Sequence, residues 1–164
     1  MFAQMVPAEL LAAIGKERFI RAKDTVDPLV WKRASPALDL TAIEYLNLIQ
    51  RQQIVARVVE ERTREFDGWL TPTVPKLPAP FADLKDVESA SAWNLRTTQN
   101  TRPGNVFGQC GASIPIQHLG AKTLPVGLQL SMSGGSDERL LTVAVLIEKI
   151  IGKGPRPDVS GFIE

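Results

Sequence analysis

The stretch LPVGLQLSMSGGSDERLL, which runs from Leu124 to Leu141, contains the clearest change of pattern in this sequence. Its first half, Pro125 to Met132, is a short apolar run of strand length. Ser136 then stands where a helix N-cap is expected, and the two acidic residues after it suit the positive end of a helix dipole. The apolar residues that follow predict a helix, which Gly152 and Pro155 end. This part of the chain is therefore predicted as a strand, a turn and a helix.

Two further strands are predicted upstream of this stretch. Ala112 to His118 is separated from the strand at Pro125 by the turn-like sequence LGAKT, so the two strands either form a hairpin or lie beside one another in a sheet. The run WLTPTVP after Asp67 is apolar and β-branched, and its prolines end it quickly. Between these strands, the sequence NTRPGNVFGQCGA is interrupted by proline and glycine. It is predicted as loop or broken helix that lines a cleft.

The N-terminal region is predicted to contain one helix and a connector. Pro7 suits the first turn of a helix, because its missing N–H has no intrahelical partner there. We expect this helix to end near Lys23. Residues 24–40 contain two prolines that interrupt the periodicity, so they are predicted to form a connector with one short turn around Trp31.

The longest predicted helix begins at Thr41, which forms a capping-box pattern with Glu44. It is expected to end near Phe66 and to bury one face. Residues 89–99 are predicted to form a further helix. The apolar stripe of the long helix consists of Tyr45, Leu48, Ile49, Val55 and Val59.

Composition excludes several classes of function. The chain has 164 residues, with 19 Lys and Arg against 18 Asp and Glu. This balance does not favour nucleic acid or an anionic membrane as a partner. Cys110 is the single cysteine, which excludes an internal disulfide and a cysteine-based zinc site and suits the cytoplasm. The apolar runs are all too short to span a membrane.

The order of motifs resembles the closing portion of amidase-signature enzymes. A long helix is followed by DGWLTPTVP, TRPGN, GASIPI, LPVGLQL and GGSDERLL. This resemblance implies the α/β class, as the C-terminal portion of an α/β/α fold around a mixed sheet. Residues 1–164 are then expected to form a single C-terminal segment, from which the upstream catalytic portion is absent.

The family's chemistry uses a lysine and two serines that lie in a Gly/Ser-rich signature upstream of every motif found here. The resemblance therefore implies no catalytic residue in this chain, and neither a cofactor nor a metal is expected. A serine nucleophile also needs a base within hydrogen-bond reach and donors for the oxyanion. The SGGS sequence that ends at Ser136 precedes an apolar helix, which favours a turn and N-cap over a nucleophile.

Three residues are candidates for the substrate cleft. Thr101 and Asn105 fall on positions that resemble the family's T-x-x-x-N segment, although a structural duty in the loop is the favoured alternative. Arg102 has the planar donor pair that binds a carboxylate, although a solvent or interdomain salt bridge is the simpler interpretation. Six more positions resemble structural positions of the family. They are Asp67, Pro72, Gly111, Pro115, Gly127 and Gln129.

Two other hypotheses are weaker. Cys110 and His118 would form a nucleophile and base only if their side chains met, and inert packing or surface exposure is favoured. The glutamine-using branch of the family is expected to place an acidic residue where this chain has Thr98. That difference argues against a glutamine amidotransferase.

These observations predict part of an amidase-like hydrolase that cleaves carbon–nitrogen bonds of small amides. The chain would complete the sheet and one wall of the cleft, and it would be inactive alone. A non-catalytic binding or assembly module and one half of a split amidase are the alternatives. The expected partners are the upstream amidase portion, on the same or a separate chain, and a small amide substrate. Unpaired strand edges and apolar surface predict self-association.

Overall fold

The computed structural model describes residues 1–116, 124 and 126–152. Two 3₁₀ segments, Ser35–Asp39 and Phe81–Asp83, accompany the regular elements. The helices are α1 (Phe2–Ile14), α2 (Lys16–Arg21), α3 (Pro28–Ala34), α4 (Ala42–Thr63), α5 (Val87–Thr97), α6 (Arg102–Phe107) and α7 (Asp137–Ile151). The strands are β1 (Trp69–Pro72), β2 (Cys110–Pro115) and β3 (Gly127–Met132).

The three strands form one sheet with β3 in the centre, in the order β1-β3-β2. Both pairings are antiparallel, and Leu130 lies opposite Leu70 on one side and Ala112 on the other. All three predicted strands are therefore confirmed. The start of β1 and the end of β3 are as predicted, while β1 ends three residues earlier and β2 begins two residues earlier. The predicted bounds at His118 and Pro125 lie outside the described residues. The last two strands pair directly, as predicted, but the LGAKT turn between them lies outside the described residues.

The two faces of the sheet differ in chemistry because successive side chains of a strand point to opposite faces. On one face, Leu130 and Met132 of β3 are buried together with Leu140 of α7. On the other face, Gln129 and Ser131 are buried although both are polar. The sheet thus has one apolar face, covered by α7, and one polar face.

The predicted final helix is confirmed as α7, with Asp137 and Glu138 in its first turn and Gly152 at its C-cap. Ser136 occupies the N-cap position, but its side chain makes no capping hydrogen bond. Its backbone, at φ −97° and ψ 25°, is not in the extended conformation that aims an N-cap side chain at the first turn. The prediction of a side-chain cap was wrong here, and Pro155 lies outside the described residues.

The predicted first helix is two helices. Gly15 has φ +91°, a conformation that favours glycine, and it separates α1 from α2. Because α1 begins at Phe2, Pro7 lies inside the helix, not in its first turn. The prediction was wrong at both points, because the positive φ of Gly15 ends the first helix and the residues before Pro7 are already helical.

The predicted connector contains more structure than one turn. Asp27 caps α3 by accepting hydrogen bonds from the backbone N–H groups of Leu29 and Val30. Trp31 of α3 stacks on Phe19 of α2, with ring centroids 4.7 Å apart and planes 7° from parallel. This pair belongs to a second small core, distinct from the one beneath α7, that holds the N-terminal helices together.

The prediction for α4 is confirmed in its start, whereas its apolar face is only half-buried and no residue of the helix is fully buried. The side chain of Thr41 accepts from the backbone N–H of Glu44, whose carboxylate accepts from the backbone N–H of Thr41. The helix ends at Thr63, three residues before the predicted end. The predicted helix at residues 89–99 is confirmed as α5. The five residues of the predicted apolar stripe of α4 are all half-buried, namely Tyr45, Leu48, Ile49, Val55 and Val59.

Helices packed on a sheet confirm the predicted α/β class. The polar face of the sheet lies opposite α7, and β2 follows α6 after only two residues. This arrangement places the TRPGN segment next to the polar face, as the predicted cleft lining requires.

The capping box of α4 predicts a measurable dependence on pH. The backbone hydrogen bond from Thr41 holds the pKa of Glu44 below its ordinary value of 4.5. A carboxyl group with a lowered pKa in the folded state stabilises the fold above its unfolded pKa, and this contribution is lost as the pH falls through the folded-state pKa. Glu44→Gln keeps an amide acceptor but cannot titrate.

We therefore expect the melting temperatures of wild type and Glu44→Gln to converge as the pH is lowered from about 7 to about 3. Circular dichroism at a series of pH values measures both temperatures. Glu60→Gln, at an exposed position of the same helix, is the control. A difference between wild type and Glu44→Gln that is constant over the whole range would contradict the assignment.

Candidate functional site

A cavity of about 280 Å³ opens beside the polar face of the sheet. Its walls come from the start of α6, from the strands β2 and β3, and from Thr73 just after β1. The lining side chains are neutral, with hydroxyl groups from Thr73 and Ser113 and amide groups from Asn105 and Gln129. These groups can donate and accept hydrogen bonds without carrying charge.

Gln129 organises the floor of this cavity. Its side chain is buried, with 8% of the residue exposed, because β3 is the central strand. Its Nε2 donates to Ser131 Oγ at 3.0 Å and to the backbone carbonyl of Asn100 at 3.4 Å. Ser131, which is 2% exposed, is thereby held in place. The amide of Gln129 thus connects the sheet to the segment before α6.

A hydrogen bond between two side chains passes beside Gly127 and leaves no space for a side chain at this position. Thr73 Oγ1 and Ser113 Oγ are 2.6 Å apart, which joins β2 to the segment after β1. A methyl group added at Gly127 would lie 2.6 Å from Thr73 Oγ1 and closer still to Ser113 Oγ. The sequence resemblance marked Gly127 as structural, and this close approach gives the physical reason.

Thr101 and Asn105 both line the cavity. Thr101 Oγ1 donates to the carbonyl of Thr98 at 3.2 Å, which fixes the turn before α6. Asn105 is exposed, and its Nδ2 makes one long hydrogen bond of 3.5 Å to the carbonyl of Thr101. The amide of Asn105 is therefore weakly held and lies at the cavity surface.

Arg102 lies on a different side of α6. Its Nε donates to Thr98 Oγ1 at 3.0 Å, and its guanidinium carbon is 5.7 Å from the centre of the Phe2 ring. Consecutive helix positions differ by about 100° around the axis, so the neighbours Thr101 and Arg102 face different surroundings. Of the three predicted cleft residues, Thr101 and Asn105 therefore line the same cavity, and Arg102 lines a separate one.

The other predicted positions frame the sheet. Asp67, just before β1, forms an ion pair with Arg139 of α7. The carbonyl of Pro72 accepts from Asn100 Nδ2 at 2.7 Å. In β2, Gly111 lies opposite Ser131, and Pro115 lies opposite Gly127.

Sequence reasoning missed five polar residues in or beside the cavity, namely Thr73, Asn100, Gln109, Ser113 and Ser131. Ser131 had a usable signal, because strict alternation along β3 places it on the same face as Gln129. Thr73, Asn100 and Gln109 lie in irregular segments, where the spacing of residues does not indicate the direction in which a side chain points. Two buried oxygens, Thr71 Oγ1 and Gln109 Oε1, have no hydrogen-bond partner within the described ranges.

The Cys110 thiol lies at the margin of this cavity, and its Sγ is 3.3 Å from the carbonyl of Ser133. The thiol is therefore placed to donate to backbone. His118, its hypothetical base, lies outside the described residues. Within the part of the chain that the structure describes, no group of three or more His, Cys, Asp or Glu residues is placed to hold a metal ion. No described helix is long and apolar enough to cross a membrane.

The sequence matches the family described as Amidase over residues 7–141. It is 35% identical over 150 residues to 2-amino-5-chloromuconic acid deaminase of Comamonas testosteroni, covering 90% of this chain and 32% of that protein. It is 33% identical over 102 residues to mandelamide hydrolase of Pseudomonas putida, covering 61% of this chain and 19% of that protein.

Two solved structures share the fold. A crystal structure of an amidase superposes with a TM-score of 0.70 at 22% identity, over 92% of this chain and 34% of that one. A 6-aminohexanoate cyclic dimer hydrolase in complex with its substrate superposes with a TM-score of 0.62 at 21% identity, over 96% of this chain and 42% of that one. The chain therefore spans between 19% and 42% of the length of these four proteins.

The close approach at Gly127 predicts that Gly127→Ala destabilises the fold by about 1 to 3 kcal/mol, because the new methyl group must displace Thr73 or Ser113. Urea unfolding followed by circular dichroism measures the loss. The matched control is Gly104→Ala on α6, where an added methyl group meets no atom within 4 Å. Equal stability of Gly127→Ala and wild type would contradict the packing described here.

Proposed function

This chain belongs to the amidase family, and we propose that it is the C-terminal part of a hydrolase that cleaves carbon–nitrogen bonds of small amides. In this proposal its sheet completes a larger sheet, and the cavity beside the polar face is one wall of the substrate cleft. The observation that carries the proposal is this neutral polar face within a family match that covers most of the chain.

The chemistry of the wall suits an amide substrate. An amide group has both hydrogen-bond donors and an acceptor, and the cavity presents the neutral hydroxyl and carboxamide groups that pair with both. Asn105 and Thr101 are the proposed contacts, since both reach the cavity from α6. Gln129 and Ser131 hold the floor in shape through the hydrogen bond between them.

The proposal assigns the bond-breaking step to the rest of the protein. Amide hydrolysis by a serine needs a base within hydrogen-bond reach of the nucleophile and donors aimed at the oxyanion. Among the residues that the structure describes, the cavity lining contains no lysine, histidine or carboxylate. The resemblance to amidase-signature enzymes implies a lysine and two serines in the preceding part of the fold. The chain alone is therefore proposed to be inactive.

Two relatives suggest suitable probes for the substrate class. Mandelamide hydrolase and indoleacetamide hydrolase are named for aromatic amides. A component of the glutamyl-tRNA(Gln) amidotransferase of Archaeoglobus fulgidus is also similar. The position where that branch is expected to carry an acid is Thr98, and its hydroxyl is engaged by Asn94 and Arg102. We therefore propose simple amides, not glutamine, as the substrate class.

A location and an assembly state complete the proposal. The single cysteine suits the reducing cytoplasm. Self-association of the isolated chain is proposed because β1 and β2 each have one strand partner among the described residues, so each leaves one edge unpaired. Large apolar side chains are also exposed, including Phe81 at 94% and Ile150 at 84%.

A chimera tests the proposed role. The preceding part of the Comamonas testosteroni deaminase, up to the start of its similarity to this chain, is fused to Met1. Ammonia release is measured with mandelamide, indoleacetamide and the deaminase's own substrate. We expect no release by the chain alone and enzyme-like turnover of one or more substrates by the chimera.

Matched variants of the chimera test which residues of this chain form the wall of the substrate cleft. Asn105→Ala removes a proposed substrate contact and is expected to lower kcat/KM by about tenfold or more. Asn47→Ala, on the exposed face of α4, is expected to leave kcat/KM unchanged. Hydrolysis by the chain alone, abolished by replacing one of its own residues, would overturn the proposal. An inactive chimera that is folded and binds none of the amides would favour a non-catalytic module.

Self-association is tested by multi-angle light scattering on the isolated chain over about a hundredfold range of concentration. We expect the mass to rise with concentration, because exposed edges and apolar surface pair with one another. Ile150→Lys places a charge on the exposed face of α7 and is expected to reduce the rise, whereas Lys149→Arg should not change it. A strictly monomeric wild type throughout would contradict this part of the proposal.

A further inference from the structure

A second cavity, of about 260 Å³, lies between α1, α3, α5 and the start of α6. Within the described ranges, it shares no lining residue with the cavity beside the sheet. Its volume is slightly below the range of typical ligand pockets, so it suits a small molecule. The proposed function does not use this cavity, and its role is argued separately from that proposal.

The charged side chains that line this cavity are cationic. Lys32, Arg33 and Arg102 are among its lining residues, and none of the lining residues in the described part of the chain is acidic. Lys32 forms an ion pair with Glu88, which lies outside the lining. Arg33 and Arg102 have no ion-pair partner within the ranges that the structure describes. The cavity is therefore suited to an anion.

Arg102 provides the strongest indication. Its Nε is satisfied by Thr98 Oγ1 at 3.0 Å, but its Nη2 is buried and has no hydrogen-bond partner within the described ranges. A buried guanidinium donor without a hydrogen-bond partner is unfavourable. Arg102 lines the cavity, so a carboxylate bound there would supply a charge-assisted hydrogen bond and a counter-charge to its guanidinium.

Six of the other lining residues are apolar, whereas Ser91, Asn94 and Thr98 are polar and uncharged. Phe2 and Val6 of α1 face Leu95 of α5 across the cavity, and the Phe2 ring lies 5.7 Å from the guanidinium carbon of Arg102. Val6 and Leu95 are both partly exposed to solvent. Burial of these three side chains by a ligand would add hydrophobic stabilisation to the ion pair.

We propose that this cavity is a binding site for a small carboxylate with an apolar body, such as an arylacetate. The carboxylate pairs with Arg102, Arg33 adds charge at the rim, and the apolar body lies among Phe2, Val6 and Leu95. The ligand is a free acid, distinct in charge from the neutral amide proposed for the cavity beside the sheet.

Three probes separate the parts of this proposal. Phenylacetate has the charge and the apolar body, phenylacetamide has the same body without charge, and acetate has the charge without the body. Binding to the 164-residue chain is measured by NMR, following the Nε–Hε signal of Arg102. We expect phenylacetate to bind at least about tenfold more tightly than either of the others. Equal binding of phenylacetate and phenylacetamide would overturn the proposal.

Two variants test the residues, with binding measured by calorimetry. Arg102→Gln is expected to weaken phenylacetate binding about tenfold or more. Arg33→Gln, at an exposed position where we expect the fold to tolerate the change, should weaken it about two- to fivefold through the lost charge. Arg96→Gln, an exposed arginine of α5 outside the lining, is the matched control and should not change the Kd.

Circular dichroism verifies that each variant is folded. If Arg102→Gln does not fold, Arg33→Gln decides the question. Unchanged affinity in the folded cation variants would overturn the proposal.

The chimera distinguishes a free acid from an acidic side chain of the preceding part of the protein. The proposal expects the chimera to bind phenylacetate with the same Kd as the isolated chain. Loss of binding in a folded chimera would show that the rest of the protein fills the cavity, and it would overturn the assignment to a free ligand.

Discussion

The pairing of β3 with a strand on each side is the constraint on which the other features of this structure depend. Each residue of β3 from Gly127 to Met132 lies opposite a residue of β2, and four of them also lie opposite β1. The last four residues of β3, Gln129 to Met132, are buried on both faces of the strand, and these faces have opposite chemistry. Leu130 and Met132 form the core beneath α7, while Gln129 and Ser131 form the floor of a polar cavity.

The same pairing explains the sequence requirements around it. Because β1 and β2 both lie close to β3, the side chains of Thr73 and Ser113 meet over Gly127, which leaves no space for a Cβ atom. The amide of Gln129 reaches from β3 to the carbonyl of Asn100 and connects the sheet to the segment before α6. The proposed cleft wall is therefore a consequence of strand register as well as of side-chain identity.

The elements best predicted from sequence were those with local physical signals. The capping box at Thr41 and the apolar stripe of α4 act within one helix, so their spacing is visible in the sequence. Gly15 was harder to interpret, because a lone glycine either continues a helix or ends it, and here a positive φ ends it. Ser136 has a favoured residue type for an N-cap, but its backbone conformation, set by the preceding turn, keeps its side chain from capping.

The candidate site was predictable in part, for a similar reason. Thr101, Arg102 and Asn105 are close in sequence, but α6 turns Arg102 away from the cavity that the other two line. Ser131 follows from the alternation of β3, whereas Asn100 and Gln109 depend on how irregular segments fold against the sheet. The result is a division between a neutral cavity at the sheet and a cationic one among the helices.

The central claim is that this chain forms one wall of a larger amidase whose bond-breaking groups lie in the part of the fold that precedes it. The most direct measurement is the mass of the native polypeptide in its source cells, detected with an antibody raised against this chain. The account predicts a polypeptide about three times as long as these 164 residues, since the chain covers about a third of the related deaminase. A native polypeptide of this length alone, with no co-purifying chain that carries the Gly/Ser-rich signature, would contradict it.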